Sequence, residues 1–233
     1  MAVGNLALIT LYKPEYRSAV FRIAADTAYF GHPVEAYLED RRLFCDFFYR
    51  YYTDYEMEHS WVAITGQEVI GFLMGCTDTA AWQRQWLRKI LPSTLGWVLR
   101  GRYRLGRRTW QYAAGLVKAA INQEFVHCSL EEYPAHLHVN IAEKGRGLGI
   151  GRKLMDTYLG HLRQLEIPGV HLHTTSLNEA ACRLYDRLGF ELLDSRRTGL
   201  WQSFLEQEVE NRCYGIKLLK SSMKDSGGQP ALL

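Results

Sequence analysis

The sequence predicts an α/β fold, and three observations carry that prediction. Short apolar runs and longer runs with helical spacing follow one another in the order strand, two helices, hairpin, then strand–helix–strand–helix–strand. A glycine-rich turn, Arg146-Gly147-Leu148-Gly149-Ile150-Gly151, joins a strand-like run (Ala135 to Ala142) directly to an amphipathic one (Arg152 to Leu165). The connection from Gly75 to Tyr133 is far longer than a hairpin needs and carries helical stripes of its own.

Taken in order, Leu6 to Tyr12 reads as a strand, and Pro14 opens a helix with Tyr16, Val20, Ile23 and Thr27 at helical spacing. Gly31-His32-Pro33 breaks it. A second helix puts Val34, Tyr37, Leu38, Phe44, Cys45, Phe48 and Tyr52 on one face. Trp61 to Thr65 and Val69 to Met74 form a hairpin about Gly66-Gln67-Glu68. In the long connection, Trp82, Trp86, Leu87, Ile90 and Leu91 make a stripe that Pro92 should stop, and Trp110, Ala113, Ala114, Val117 and Ile121 make a second. Both stripes are expected to bury against each other or against the body of the fold. A second strand-like run, Gly169 to Thr175, precedes a helix from Asn178 carrying Ala181, Leu184, Tyr185 and Leu188. The small polar segment from Lys220 onward is expected to be disordered.

Composition narrows the classes. With 47% hydrophobic and 23% charged residues over 233 positions, the chain can bury a full core. No apolar run reaches membrane-spanning length, and no basic segment precedes Leu6 to Leu11, so a cytoplasmic location is expected. Cys45, Cys76, Cys128, Cys182 and Cys213 contain no Cys-x-x-Cys pair, which favours reduced thiols over bridges or a zinc site. Charge is unevenly spread. From Thr79 to Gln123 there is no Asp or Glu, while Arg84, Arg88, Lys89, Arg100, Arg102, Arg104, Arg107, Arg108 and Lys118 are all basic. Without those nine, the chain has an excess of six acidic groups.

The glycine turn is built for an anion. Glycines at alternate positions clear side chains from the approach, so N–H groups can turn toward one diphosphate, and the following helix adds its unpaired N–H groups and dipole. Arg146, Arg152 and Lys153 bring charge to the same place. A dinucleotide fingerprint would need glycine where Arg152 stands, and a P-loop would need Gly-Lys-Ser/Thr at Arg152-Lys153-Leu154. The plainer alternative is a glycine-rich turn capping an ordinary helix.

Arg146-x-x-Gly149-x-Gly151, followed by Asn178, Tyr185 and Gly189-Phe190, resembles the motifs of the GNAT superfamily of acyl-CoA-dependent N-acetyltransferases. Tyr133 to Ile141 is more narrowly similar to bacterial acetyltransferases like the domain found beside O-GlcNAc hydrolases. The resemblance follows the element order from residue 5 to 219, and its specific motifs lie between 135 and 190. It implies a central mixed, twisted sheet flanked by helices, in a domain spanning 1–219; the helical stretch at about 76–134, between strands 3 and 4, is an insertion into that order. It also implies acetyl-CoA as co-substrate, with its diphosphate held by Arg146, Gly147, Leu148, Gly149, Ile150, Gly151, Arg152 and Lys153. The backbone of Val139 and Ile141 would pair with the pantetheine arm and the acetyl carbonyl, and Asn178 would bond the arm. Tyr185 stands where the superfamily commonly protonates the leaving thiolate.

The residues themselves leave other roles open. Tyr185 in its stripe could be plain core, and Asn178 a helix N-cap. His136, His138 and Asn140 share one strand face, with His171 and His173 on the neighbouring strand; His138 and Asn140 are catalytic candidates, because imidazole suits proton removal near neutrality. Alternating histidines are also a common structural layer. No Cys or carboxylate stands at zinc-ligand spacing, so no metal is expected. The glutamate many relatives carry at the start of this strand falls at about Ala135, which leaves the base unassigned, with Asp26 or a water relay as options. Asp26, Tyr29 and Phe30, and the acidic stretch Trp201 to Glu210, are the candidate acceptor-binding regions. The reading is an N-acetyltransferase acting on a primary amine by direct attack in a ternary complex, as a monomer or homodimer, with no nucleic-acid partner expected. The alternatives are a non-catalytic interaction module of the same fold, or a basic insertion that contacts RNA or an anionic membrane.

Overall fold

The computed structural model describes residues 7–218. Its strands are β1 (Leu8–Leu11), β2 (Trp61–Thr65), β3 (Glu68–Cys76), β4 (Ala135–Ile141), β5 (Gly169–Thr175), β6 (Glu191–Thr198) and β7 (Val209–Lys217), in the spatial order β1-β2-β3-β4-β5-β7-β6. Only β4 and β5 run parallel, so the sheet is mixed. The helices are α1 (Arg17–Asp26), α2 (Arg41–Phe48), α3 (Arg50–Tyr55), α4 (Thr79–Gln85), α5 (Leu91–Leu99), α6 (Arg107–Ile121), α7 (Ile150–Gln164) and α8 (Glu179–Arg187).

β3 is buried from Val69 onward, as a strand covered on both faces must be. On one side Phe72, Met74 and Cys76 join a core with Val20, Ile23, Phe44 and Tyr52 from α1 to α3. On the other, Leu73 packs with Leu154, Met155 and Tyr158 of α7 and Tyr185 of α8. The Tyr158 hydroxyl donates to the carbonyls of Cys76 (2.9 Å) and His136 (3.0 Å), pinning α7 across the β3–β4 pair.

The insertion between β3 and β4 is helical, and its details depart from the periodicity. Pro92 does not end the first stripe. A π-helical turn over Trp86–Ile90 widens the helix just ahead of it, so the proline enters α5 in its first turn, where its missing N–H and its ring are tolerated. In α6 the buried residues are Thr109, Tyr112 and Ala119, while Trp110, Val117 and Ile121 point to solvent. The reason is local. Gly115 lets α6 lie so close to the 199–205 segment that a Cβ there would stand 3.0 Å from the Leu200 carbonyl oxygen, and Tyr112 is drawn into stacking with Tyr37 and Trp201. β6 and β7 also form a hairpin in which the last strand inserts beside β5, one strand more than the expected order contains. The polar segment from Lys220 lies outside the described residues.

Glu39 ties the insertion to the body. Its carboxylate accepts from the backbone N–H of Gly106 (3.1 Å), Arg108 (2.8 Å) and Thr109 (3.0 Å) and from the Thr109 hydroxyl, supplying the N-terminal cap that Gly106 cannot. Partial burial pushes its pKa up, but the donors of Thr109 and Arg108 outweigh that and bring it down from 4.5 to about 2. The cap therefore stabilises the fold above pH 4.5 and is lost as pH falls toward 2. Glu39→Ala should cost about 1–2 kcal/mol by chemical denaturation and flatten the acid limb of the stability profile. An unchanged midpoint would show that α6 does not depend on this carboxylate.

Candidate active site

β4 and β5 pair at only two positions, Ala135 with Val170 and His136 with His171. Beyond them β4 stays with β3 as far as Ile141, and β5 stays with β7 as far as Thr175, so the two parallel strands part. Each is held by its outer neighbour. The Ala142 N–H donates to the Ile70 carbonyl at 2.9 Å, and hydrogen-bonded pairs alternate along an antiparallel ladder. The backbone groups of His138 and Asn140 are thereby directed at β3, and those of Val139 and Ile141 at the gap.

The gap holds a cavity of about 210 Å³, lined by Leu137 to Asn140, Leu172 to Thr175, Asn178 and Tyr185, with Thr27, Phe30, Tyr49 and Trp201 closing it from the α1–α2 side. Three residues of the lining, Thr174, Thr175 and Trp201, each carry a buried polar side-chain atom without a hydrogen-bond partner. Buried polar groups are rarely left so in a folded protein.

The glycine turn follows β4 after a short 3₁₀ turn, Glu143–Gly145. Gly147 (φ +78°) and Gly149 (φ +71°) are left-handed, and a Cβ on either would meet nothing within 4 Å, so open space lies before both. Gly151 serves differently: its Cβ would come within 3.2 Å of Leu184, which brings α7 and α8 together. No side chain caps α7, and its first helical bond runs from Lys153 N–H to the Gly149 carbonyl. The N–H groups of Ile150, Gly151 and Arg152 are left for something else. Ile150 is buried beneath, whereas Leu148, Arg152 and Lys153 are exposed around the rim. Arg152 pairs with Asp156 (3.5 Å), and Arg146 donates to the Gly31 carbonyl (2.8 Å), bridging the turn to the loop after α1.

Asn140 is held at both ends. It accepts from the Tyr49 hydroxyl (3.1 Å) and donates to Thr27 Oγ1 (2.7 Å), which in turn donates to the Ile23 carbonyl (2.8 Å). That chain fastens β4 to α1 and to the α2–α3 junction. Asn178 occupies the N-cap position of α8, yet its side chain makes no cap bond and is free on the cavity wall. Tyr185 is buried on that wall against Phe190 and Tyr214, and burial raises its pKa so that the hydroxyl stays protonated. Phe30 lines the cavity with φ +52°. Tyr29 turns instead to the Phe204 carbonyl (3.3 Å), and Asp26 pairs with Arg41 (2.5 Å), away from the lining. Tyr49 is the site residue that sequence patterning passes over, and of the stretch Trp201 to Glu210 only Trp201 reaches the lining.

The histidines divide. His136 is buried with both nitrogens engaged, by the Tyr52 hydroxyl (2.6 Å) and Thr79 Oγ1 (2.7 Å), and His171 Nδ1 meets the Tyr133 carbonyl (2.9 Å). These two form a structural layer at the closed end of the gap. His138 makes no such bond and borders the cavity, as does His173. Desolvation, helped by His171, lowers the His138 pKa from 6.5 to about 4, and burial takes that of His136 well below 6.5. Among the described residues no three His, Cys, Asp or Glu side chains converge to hold a metal ion.

The acetyltransferase (GNAT) family model matches residues 17–190. Over 57 residues the chain is 44% identical to a mycothiol acetyltransferase of Nocardiopsis dassonvillei, a match that covers 24% of this chain and only 17% of that protein. A crystal structure of SsHAT aligns over 92% of this chain and 100% of its own, with a TM-score of 0.69 and 25% identity. The yncA structure from Salmonella typhimurium, solved with its cofactor acetyl-CoA, aligns over 95% of this chain and 99% of its own (TM-score 0.56, 12% identity). The polyamine N-acetyltransferase of Drosophila melanogaster aligns over 91% and 99% (TM-score 0.56, 16% identity). The last two show a shared fold alone.

The buried imidazoles make stability depend on pH in a defined direction. Folded His136 and His138 resist protons that the unfolded chain takes up below pH 6.5, so their contribution is complete above 6.5 and lost as pH falls toward about 4. The melting temperature should fall between pH 6.5 and 4.5, above the carboxylate range, and His138→Asn should reduce that slope. A flat profile over the interval would contradict the burial of these rings.

Proposed function

This chain belongs to the GNAT acetyltransferase family, and from that premise we propose that it transfers an acetyl group from acetyl-CoA to a primary amine, by direct attack in a ternary complex within the gap between β4 and β5. The observation that carries the reading is the conjunction, on one strand and the turn that follows it, of unpaired backbone groups at Val139 and Ile141 with a glycine cradle ending on an uncapped helix. Open space before Gly147 and Gly149 fits a diphosphate.

Bound acetyl-CoA supplies an activated thioester. The cradle from Arg146 to Lys153 holds the diphosphate through the N–H groups of Ile150, Gly151 and Arg152, with Arg152 and Lys153 adding charge. Ile141 and the Asn178 amide fix the pantetheine arm. The Val139 N–H donates to the acetyl oxygen, more strongly as negative charge develops there. Tyr185, kept protonated by burial, gives its proton to the departing sulfur.

His138, neutral at physiological pH, accepts a proton from the amine. Asn140 acts by holding β4 in register with α1. Phe30 and Trp201 shape the acceptor side, with Tyr29 packing behind them, and Asp26 keeps the loop before α2 in place through Arg41. Five free cysteines suit a reducing compartment such as the cytoplasm.

Two substitutions test this. Gly149→Asp places a carboxylate at a left-handed position facing the diphosphate; calorimetry should show acetyl-CoA binding to wild type and its loss in the variant, and no heat with wild type would refute the cradle. Tyr185→Phe keeps the ring, so CoA release with an active amine should fall roughly 10²–10⁴-fold while the melting temperature barely moves. Unchanged turnover would leave Tyr185 as core alone.

A further inference from the structure

The insertion shows solvent an unusual surface. Along α6, Trp110, Val117 and Ile121 are 63%, 61% and 75% exposed, with Ala114 exposed between them, so one helical stripe faces outward. The opposite face is already occupied, because Tyr112 stacks on Trp201 and Gly115 abuts the Leu200 carbonyl. Leu87, Leu95 and Leu99 of the same insertion are exposed as well. Monomers rarely expose a connected apolar stripe without a use for it.

Charge says what covers it. All nine basic side chains between Thr79 and Gln123 are exposed, and none forms an ion pair among the described residues. Arg107 and Lys118 lie beside the α6 stripe on the helical projection. A nucleic acid would answer the cations but gain nothing from Leu99, Val117 and Ile121. A symmetric dimer through this face would press like charges together. An anionic bilayer surface answers both features: acyl chains take the apolar stripe, headgroups take the cations, and an indole such as that of Trp110 is at home at the boundary.

We propose that the outer face of α6, with the surrounding basic side chains of the insertion, docks the protein peripherally on an anionic membrane surface. The helix lies in the plane of the interface and does not cross it, in keeping with the lack of any helix among the described residues that is long and apolar enough to span a membrane. Trp201 lines the cavity and stacks on the inner face of α6, so docking would leave the cavity one helix from the lipid.

Co-sedimentation of the full chain with vesicles of phosphatidylglycerol and phosphatidylcholine, and with phosphatidylcholine alone, tests this without reference to catalysis. Binding is expected only to the anionic vesicles and should weaken as salt rises. Val117→Glu combined with Ile121→Glu should lower the partition coefficient roughly tenfold or more, with an unchanged melting temperature because both positions are exposed. A blue shift of tryptophan emission on binding should be lost in Trp110→Phe. No sedimentation with anionic vesicles, or equal binding by the double variant, would overturn the proposal. So would a concentration-dependent dimer that the double variant abolishes, or salt-sensitive binding to single-stranded RNA stronger than to vesicles.

Discussion

A strand that leaves its neighbour exposes backbone donors and acceptors, and each one buried without a partner costs about 1–3 kcal/mol. β4 does this after His136, and the architecture around it serves to hold that geometry. β3 grips β4 from one side, β7 grips β5 from the other, and the Tyr49–Asn140–Thr27 chain fastens β4 to the helices above. The unpaired groups of Val139 and Ile141 are therefore fixed in advance, and a ligand that pairs with them pays little to order them.

The closed end of the gap is stiff for a different reason. Tyr52, His136 and Thr79 form a fully bonded buried row, and Tyr158 bonds the carbonyls on both strands beneath it. Histidines spaced along a strand thus divide by position: those at the paired end are hydrogen-bonded, and those at the parted end border the cavity. The same division separates the two faces of the insertion, whose inner side packs through Tyr112 against Trp201 of the cavity lining while its outer side remains apolar and basic.

Much of this was legible in the residues. Glycine and proline punctuation marked the hairpin turn, the cradle and the start of β5, because positive φ and abrupt strand-to-helix passages admit few other residues. The GNAT resemblance was legible for the same reason, since its motif consists of backbone requirements. Other features were not. Periodicity located the α6 stripe but not which way it faces, because that depends on how closely Gly115 approaches the 199–205 segment. The strand β7, with Glu210, Asn211 and Arg212 in its first half, lacked an apolar alternation. Asn178 sits where an N-cap belongs, yet in the folded chain its side chain makes no cap bond. Tyr49 reaches the site from a sequence-distant element, which no local pattern encodes.

The central claim is that the backbone of Val139 and Ile141 waits, preformed and unpaired, for acetyl-CoA. Residue-resolved amide hydrogen exchange with and without acetyl-CoA addresses those two N–H groups directly. The account predicts that both exchange freely in the protein alone and become protected on adding acetyl-CoA, together with Ile150, Gly151 and Arg152, while His138 and Asn140, already paired with β3, change little. Protection of Val139 and Ile141 in the absence of acetyl-CoA, or no change on its addition while calorimetry shows binding, would contradict it.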